Sequence, residues 1–129
     1  MASGLPVDFP GFVPLDKLIG LYETCSVYVA AGRREPWGMR LNDALQCGAP
    51  LLVSRGMGGV QLVDDYGCGM AFEADDYVDL ACKLRRLIEN DEDYARVVEN
   101  AEVAARQISP LQKAKALKAM WKCRFPEWL

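Results

Sequence analysis

The sequence contains no histidine. That absence removes from this chain every mechanism built on an imidazole base, including Ser-His-Asp and Cys-His pairs, and also the commonest zinc ligand. No apolar run approaches the roughly 20 residues that a membrane-spanning helix needs. Charge of one sign is missing too: 15 basic side chains face 18 acidic ones, for a net charge of −3. Nothing in that balance draws the chain to nucleic acid or to an anionic membrane as its main partner. The five cysteines, Cys25, Cys47, Cys68, Cys82 and Cys123, are odd in number and form no Cys-x-x-Cys pair, so reduced, buried thiols are expected and no cofactor or metal site is. The start, Met1-Ala2-Ser3-Gly4-Leu5-Pro6, lacks the positive end and apolar core of an export signal, and a cytoplasmic location is the expectation. Any chemistry falls to carboxylates, arginines, lysines and backbone amides.

What is present is enough apolar material, 51% of 129 residues, to build the core of one globular domain. Val7-Asp8-Phe9 alternates apolar and polar residues before Pro10-Gly11, which predicts a short strand. A helix should start near Pro14 and Asp16 and run to about Thr24, with Leu15, Leu18, Ile19 and Tyr22 at helical spacing. Ser26 to Ala30 reads as a buried strand, and Trp37 or Gly38 to Gln46 as a helix stopped by Gly48. Leu51 to Ser54 reads as a strand, Val60 to Val63 as a brief helix, and Met70 to Phe72 as a last strand. Beyond Asp75 the pattern is helical: roughly 76–89, then 91–106 capped by Asp91, then 109–122 with Ser109 as cap and Pro110 in the first turn.

Strands alternating with helices predict an α/β fold with a parallel sheet of about three or four strands, followed by a run of helices. In such sheets ligands bind outside the carboxyl ends of the strands. Two loops lie there, Ala31 to Gly38 and Arg55 to Gly59, and each leads into a helix N-terminus whose free amides favour an anion. Gly56-Met57-Gly58 looks superficially like a dinucleotide fingerprint, but position 61 holds glutamine where the third glycine belongs. A phosphoacceptor signalling domain is excluded as well, because Ala31 and Ser54 stand where its aspartate and lysine would be.

The first loop and its helix read Glu35-Pro36-Trp37-Gly38-Met39-Arg40-Leu41-Asn42-Asp43, followed by Gly48-Ala49-Pro50. This stretch resembles the donor-site signature of retaining, nucleotide-sugar-dependent glycosyltransferases of the GT-B architecture, the group 1 or family 4-like kind. Their pattern is Glu-Pro-aromatic-Gly, a second acidic residue eight positions after the first, and a small-residue turn into a strand. Phe9-Pro10-Gly11-Phe12-Val13, Leu18 to Ser26 and Ser54 to Val63 match further segments in the right order, from about residue 7 to residue 105.

The resemblance implies a Rossmann-like, partial C-terminal GT-B domain spanning 1–129, with 109–129 as its helical tail. It implies a nucleotide-sugar donor and an acceptor whose identity stays open. Glu35 would be the catalytic residue in the sense of holding and orienting donor hydroxyls. Glu35, Trp37, Gly38, Met39 and Asp43 would line the donor site, with amides around Trp37 to Met39 near sugar and phosphate. A carboxylate that accepts paired hydrogen bonds from a diol, beside amides for a diphosphate, is what such a donor requires. Position 43 departs from the pattern, with aspartate where the family has glutamate, and position 61 has glutamine for a frequent glutamate. Both departures suit a second reading, a non-catalytic binding or assembly module on a degenerate glycosyltransferase fold.

Each choice has a plainer alternative. Glu35 can be a solvated acid beside Arg33 and Arg34, Asp43 can pair with Arg40 or Arg33, and Trp37 can be a packing residue. Lys115, Lys118 and Lys122 share one face of the last helix, and with Lys113 and Arg124 they make five positive charges against Glu127 alone. That face is either solvated or a peripheral membrane contact. In the family's strand order 3-2-1-4-5-6, the strand resembled by Val7 to Phe9 lies two strands away from Val27 to Val29. Without those two strands, residues 5–9 are expected to leave the sheet or to pair with another molecule, with self-association through the open edge as one outcome. The isolated chain is expected to be inactive.

Overall fold

The computed structural model describes residue 4 and residues 6–128. Its elements run α1 (Leu15–Thr24), β1 (Tyr28–Ala30), α2 (Met39–Gln46), β2 (Leu51–Ser54), a 3₁₀ turn (Gly58–Val60), α3 (Gln61–Tyr66), β3 (Gly69–Phe72), α4 (Tyr77–Glu89), α5 (Asp91–Ile108), α6 (Pro110–Arg124) and a 3₁₀ turn (Pro126–Trp128). The strands form one parallel sheet in the order β1-β2-β3, with Tyr28 opposite Leu51 and Leu51 opposite Gly69. This is an α/β, Rossmann-like fold.

Central β2 is buried along its whole length, with Leu51, Leu52 and Val53 fully covered. A parallel strand covered on both faces by crossover helices has to be apolar throughout, as Leu51-Leu52-Val53 is. Side chains alternate across the sheet. Leu51 and Val53 enter the main core with Leu41, Ala44 and Leu45 of α2, Leu62 and Val63 of α3, and Ala101 and Ala104 of α5. Small residues on α2 and α5 let these two helices approach each other closely. Truncating Leu41 or Leu45 to alanine in such a core costs about 2–5 kcal/mol.

Val7 to Phe9 is not a strand. Residues 6–13 form no helix or strand, and Val7 and Phe9 stand 55% and 85% exposed. Within the described residues these positions have no neighbouring strand, so alternation alone did not suffice; Leu5, the first residue of that segment, lies outside the described residues. Leaving the sheet is thus the outcome observed for residues 6–9. β1 begins at Tyr28 rather than Ser26, because only Tyr28 to Ala30 have partners on β2.

The helix termini show why two boundaries moved. Asn90, not Asp91, caps α5, with its side chain accepting the Asp93 N–H at 2.9 Å. Asp76 caps α4 through the N–H groups of Val78 and Asp79. Ser109 caps α6 as expected, with Pro110 in the first turn. The expectation of five buried cysteines fails for Cys82 and Cys123, which are exposed on α4 and α6. Helix α6 has no buried residue. Among the described residues, no helix is long and apolar enough to cross a membrane.

Candidate functional site

The two loops at the carboxyl ends of β1 and β2 are joined to each other by their backbones. Glu35 donates its N–H to the Gly56 carbonyl at 3.1 Å, Gly58 donates to the Glu35 carbonyl at 2.9 Å, and Gly59 donates to the Trp37 carbonyl at 2.8 Å. Glu35 and Met57 thus form an isolated parallel bridge beyond the ends of the strands. The glycines exist for this approach: a Cβ on Gly58 would overlap the Pro36 carbonyl oxygen, and one on Gly56 would overlap backbone of Arg33 and Gly32. A phosphate loop is not needed to explain them.

Met57 fills the space between the loops. It is 9% exposed, its Sδ accepts the Gly32 N–H at 3.3 Å, and its side chain also lies where a Cβ on Gly32 or Gly38 would have to sit. Gly38, at φ +89°, turns the chain into α2 in a conformation that L-residues rarely adopt. No side chain caps α2, and Leu41 is the first amide to bond back, to the Gly38 carbonyl at 2.9 Å. Among the described residues the amides at Met39 and Arg40 therefore have no acceptor, a suitable place for an anion.

The candidate side chains divide into two kinds. Glu35 is exposed beside an open hollow of about 290 Å³ lined by Arg34, Glu35, Pro36 and Gly56. Among the described residues no cation lies within ion-pair distance of Glu35 or of Asp43. Arg33 does not pair with either; its Nε binds Asp75 Oδ1 at 2.6 Å. The plain reading of Asp43 as an ion-pair partner of Arg40 or Arg33 therefore fails, whereas Glu35 is exposed next to Arg34, as a solvated acid would be. Asp43 is exposed on α2, close enough to β1 to act weakly on Tyr28, whose phenol is pushed up chiefly by burial and then by Tyr22. The Tyr22 and Tyr28 rings meet edge to face at 5.4 Å.

Trp37 is half-buried against the core, and its indole N–H donates to Asn42 Oδ1 at 2.7 Å. It packs the loop onto α2. Gly38 and Met39 sit where that loop becomes helix, with Met39 67% exposed. The loop therefore brings Glu35, Trp37, Gly38 and Met39 together at one rim, while Asp43 stands one turn further along α2 and shares no bond with them.

Three contributors were not singled out from the sequence. Ser54, 1% exposed at the end of β2, accepts the Gly56 N–H on its Oγ at 3.1 Å and starts the second loop's turn. Asp75, the single described non-glycine residue at positive φ (65°), accepts directly from Arg33 and helps Ala31, Ser54, Phe72 and Tyr77 to line a hollow of about 170 Å³. Met57 is the third. Its apolar position between glycines was the available signal, but the partners lie some twenty residues away in sequence.

Comparison with known proteins gives the family. Residues 4–104 match the family model for glycosyl transferases group 1. Over 55 residues the chain is 40% identical to a GDP-mannose-dependent alpha-(1-6)-phosphatidylinositol dimannoside mannosyltransferase, found in two strains of Mycobacterium tuberculosis. That stretch is 42% of this chain but only 14% of the relative, so the likeness spans a small part of the relative's length. With a family match over well more than half of its residues, the chain belongs to the glycosyl transferases group 1 family.

Proposed function

We propose that this chain is the C-terminal, donor-binding part of a retaining glycosyltransferase that moves a sugar from a nucleotide-sugar to an acceptor, and that it does not turn over alone. The observation that carries this is the backbone pairing of the two loops, which presents the Glu35 carboxylate, without an ion pair among the described residues, beside the uncapped start of α2. Glu35 accepts hydrogen bonds from donor hydroxyls, and the amides at Met39 and Arg40 receive phosphate oxygens. Gly38 lets the ligand reach the backbone, Trp37 holds the loop on α2, and Asp43 serves the ribose diol, either with the nucleotide seated slightly closer or through water, because its side chain is one methylene shorter than glutamate's. No metal or organic cofactor enters this scheme.

In the transfer, the acceptor hydroxyl oxygen bonds the anomeric carbon on the face from which the nucleoside diphosphate departs. The bond to phosphate oxygen breaks with its electron pair on the diphosphate, which takes up the hydroxyl proton. Glu35 orients and stabilises the donor without attacking it, and no imidazole base is needed. GDP-mannose is the first donor to test, since the relative is GDP-mannose-dependent by name.

The reading includes a cytoplasmic protein, a peripheral membrane contact through α6 and self-association through the open edge of β1. Support for the membrane contact is the absence of acidic residues in α6 together with exposed Leu117, Met120 and Trp121. Support for self-association is Val29, 39% exposed on a strand with no outer partner among the described residues. A non-catalytic module is the second reading, favoured by Asp43 and by Gln61, which is exposed at the first position of α3. Isothermal titration with a panel of nucleotide-sugars, with hydrolysis assayed in the same samples, separates them: the donor-binding reading expects heat from one donor, and the inert module expects none from any.

A further inference from the structure

The outer edge of β3 borders a groove of about 320 Å³ that shares no lining residue with the Glu35 hollow. Four cations line it, Arg55, Lys83, Arg86 and Arg96, against one carboxylate, Asp64. We propose that this groove is a second ligand site, for a phosphate-class oxyanion held between Arg86 and Arg96.

Asp93 builds the site from behind. Its side chain is only 7% exposed, while those of Arg86 and Arg96 are 58% and 60% exposed. Arg86 Nε donates to Asp93 Oδ2 and Arg96 Nη2 to Oδ1, each at 2.5 Å. One carboxylate thus fixes two guanidiniums from two helices at one groove, and the trio keeps a net positive charge. Each guanidinium has five N–H donors, so most remain for a ligand, and the planar fork matches phosphate oxygens. The two short bonds hold Asp93 below the usual carboxylate range, with the Arg86 hydrogen bond as the largest cause.

The groove's other walls supply further donors. Lys83 lies one turn before Arg86 on α4, its ammonium 3.8 Å from Asp79. The amides of Leu51, at the start of β2, and of Arg55, just past its end, bond to the carbonyls of Cys68 and Phe72, so the alternate residue Ala71 turns its N–H to the free edge. Carboxylates attend the remaining cation as well: Arg55 stands 3.6 Å from Asp64 and 3.5 Å from Glu73. A ligand therefore joins existing pairs, which predicts weak affinity with strong salt dependence. The oxyanion can be free phosphate or the phosphate of a lipid headgroup.

The test is an amide chemical-shift titration of the chain with inorganic phosphate, with inorganic pyrophosphate, and with short-chain phosphatidic acid below its micelle concentration. Saturable shifts at Ala71, Arg86, Arg96 and Asn100 are expected, weakening about tenfold in Arg96→Gln. Lys83→Ala, which leaves the Asp93 contacts intact, is expected to weaken them about threefold and guards against misfolding of the first variant. Tighter binding of phosphatidic acid than of phosphate assigns a lipid source, and equal binding assigns free phosphate. Absence of shifts at these amides with all three probes, or shifts unchanged in both variants, overturns the proposal. Neither result depends on donor binding at Glu35.

Discussion

Gly58 donates its backbone N–H to the Glu35 carbonyl at 2.9 Å, so a glycine of the second loop sets the position of a carboxylate-bearing residue in the first. The spacing leaves no room for a side chain, because a Cβ at position 58 would overlap the Pro36 carbonyl oxygen. Gly58→Ala is therefore expected to cost about 1–3 kcal/mol and to separate the loops. Gly20→Ala is the contrast: it lies inside α1 with nothing within 4 Å of its Cβ, and should add about 0.5–1 kcal/mol. Urea unfolding midpoints of the two variants check both signs.

Asp93 ties stability to acid pH. Its carboxyl is lowered below the ordinary 3.8, first by the Arg86 hydrogen bond and then by the charges of Arg86 and Arg96, against burial. A depressed carboxylate contributes stability that is present above its unfolded pKa and is lost as pH falls through the folded value. The loss should begin below about pH 4, and Asp93→Asn should flatten that acid limb while lowering stability at neutral pH. Thermal unfolding from pH 2.5 to 7 reads both effects.

The cysteines should separate into three classes of reactivity. Cys82 and Cys123 are exposed and should be alkylated first. Cys25 and Cys47 are half-buried with thiols pushed up by burial, and should react more slowly. Cys68, fully covered and pushed up to about 11, should react only on unfolding. A raised thiol favours the folded state below the ordinary value of 9 and loses that contribution as pH rises toward 11. Mass spectrometry of timed alkylation at pH 8 resolves the order.

Helix α6 contributes little to the core, having no buried residue. Deleting residues 110–129 should leave the sheet intact and shift the unfolding temperature by no more than about 4 °C. If α6 is a peripheral membrane contact, the full chain should sediment with anionic vesicles in low salt and the shortened one should not.

Much of the fold was legible because its signals are local. Pro50 and the glycine-rich turn bracket Leu51 to Ser54, and the strand occupies those four residues. Ser109-Pro110 announced α6 in the same way. Val7 to Phe9 misled because alternation reports an amphipathic surface and says nothing about whether a neighbouring strand exists. Asn90 displaced Asp91 as a cap because both residue types serve there and geometry decides.

At the candidate site, the sequence identified both loops but not what joins them. The Glu35 to Gly58 bond, the Met57 plug and the Arg33–Asp75 pair connect segments far apart in the chain, where no periodicity reaches. The groove beside β3 was invisible for the same reason, since Arg86 stands on α4 while Asp93 and Arg96 stand on α5, and no periodicity within one helix signals that they meet.

The most direct test of the account is an amide chemical-shift titration of the chain with GDP-mannose and other nucleotide-sugars, comparing the native chain with Glu35→Gln. Glu35 is exposed and lacks an ionic partner among the described residues, so the substitution should leave the unfolding midpoint unchanged. Saturable shifts at Glu35, Trp37, Gly38, Met39 and Asp43 are expected with one donor, weakened about tenfold in the variant. Binding that is equally tight in both, or no shift at these residues with any nucleotide-sugar, would contradict it.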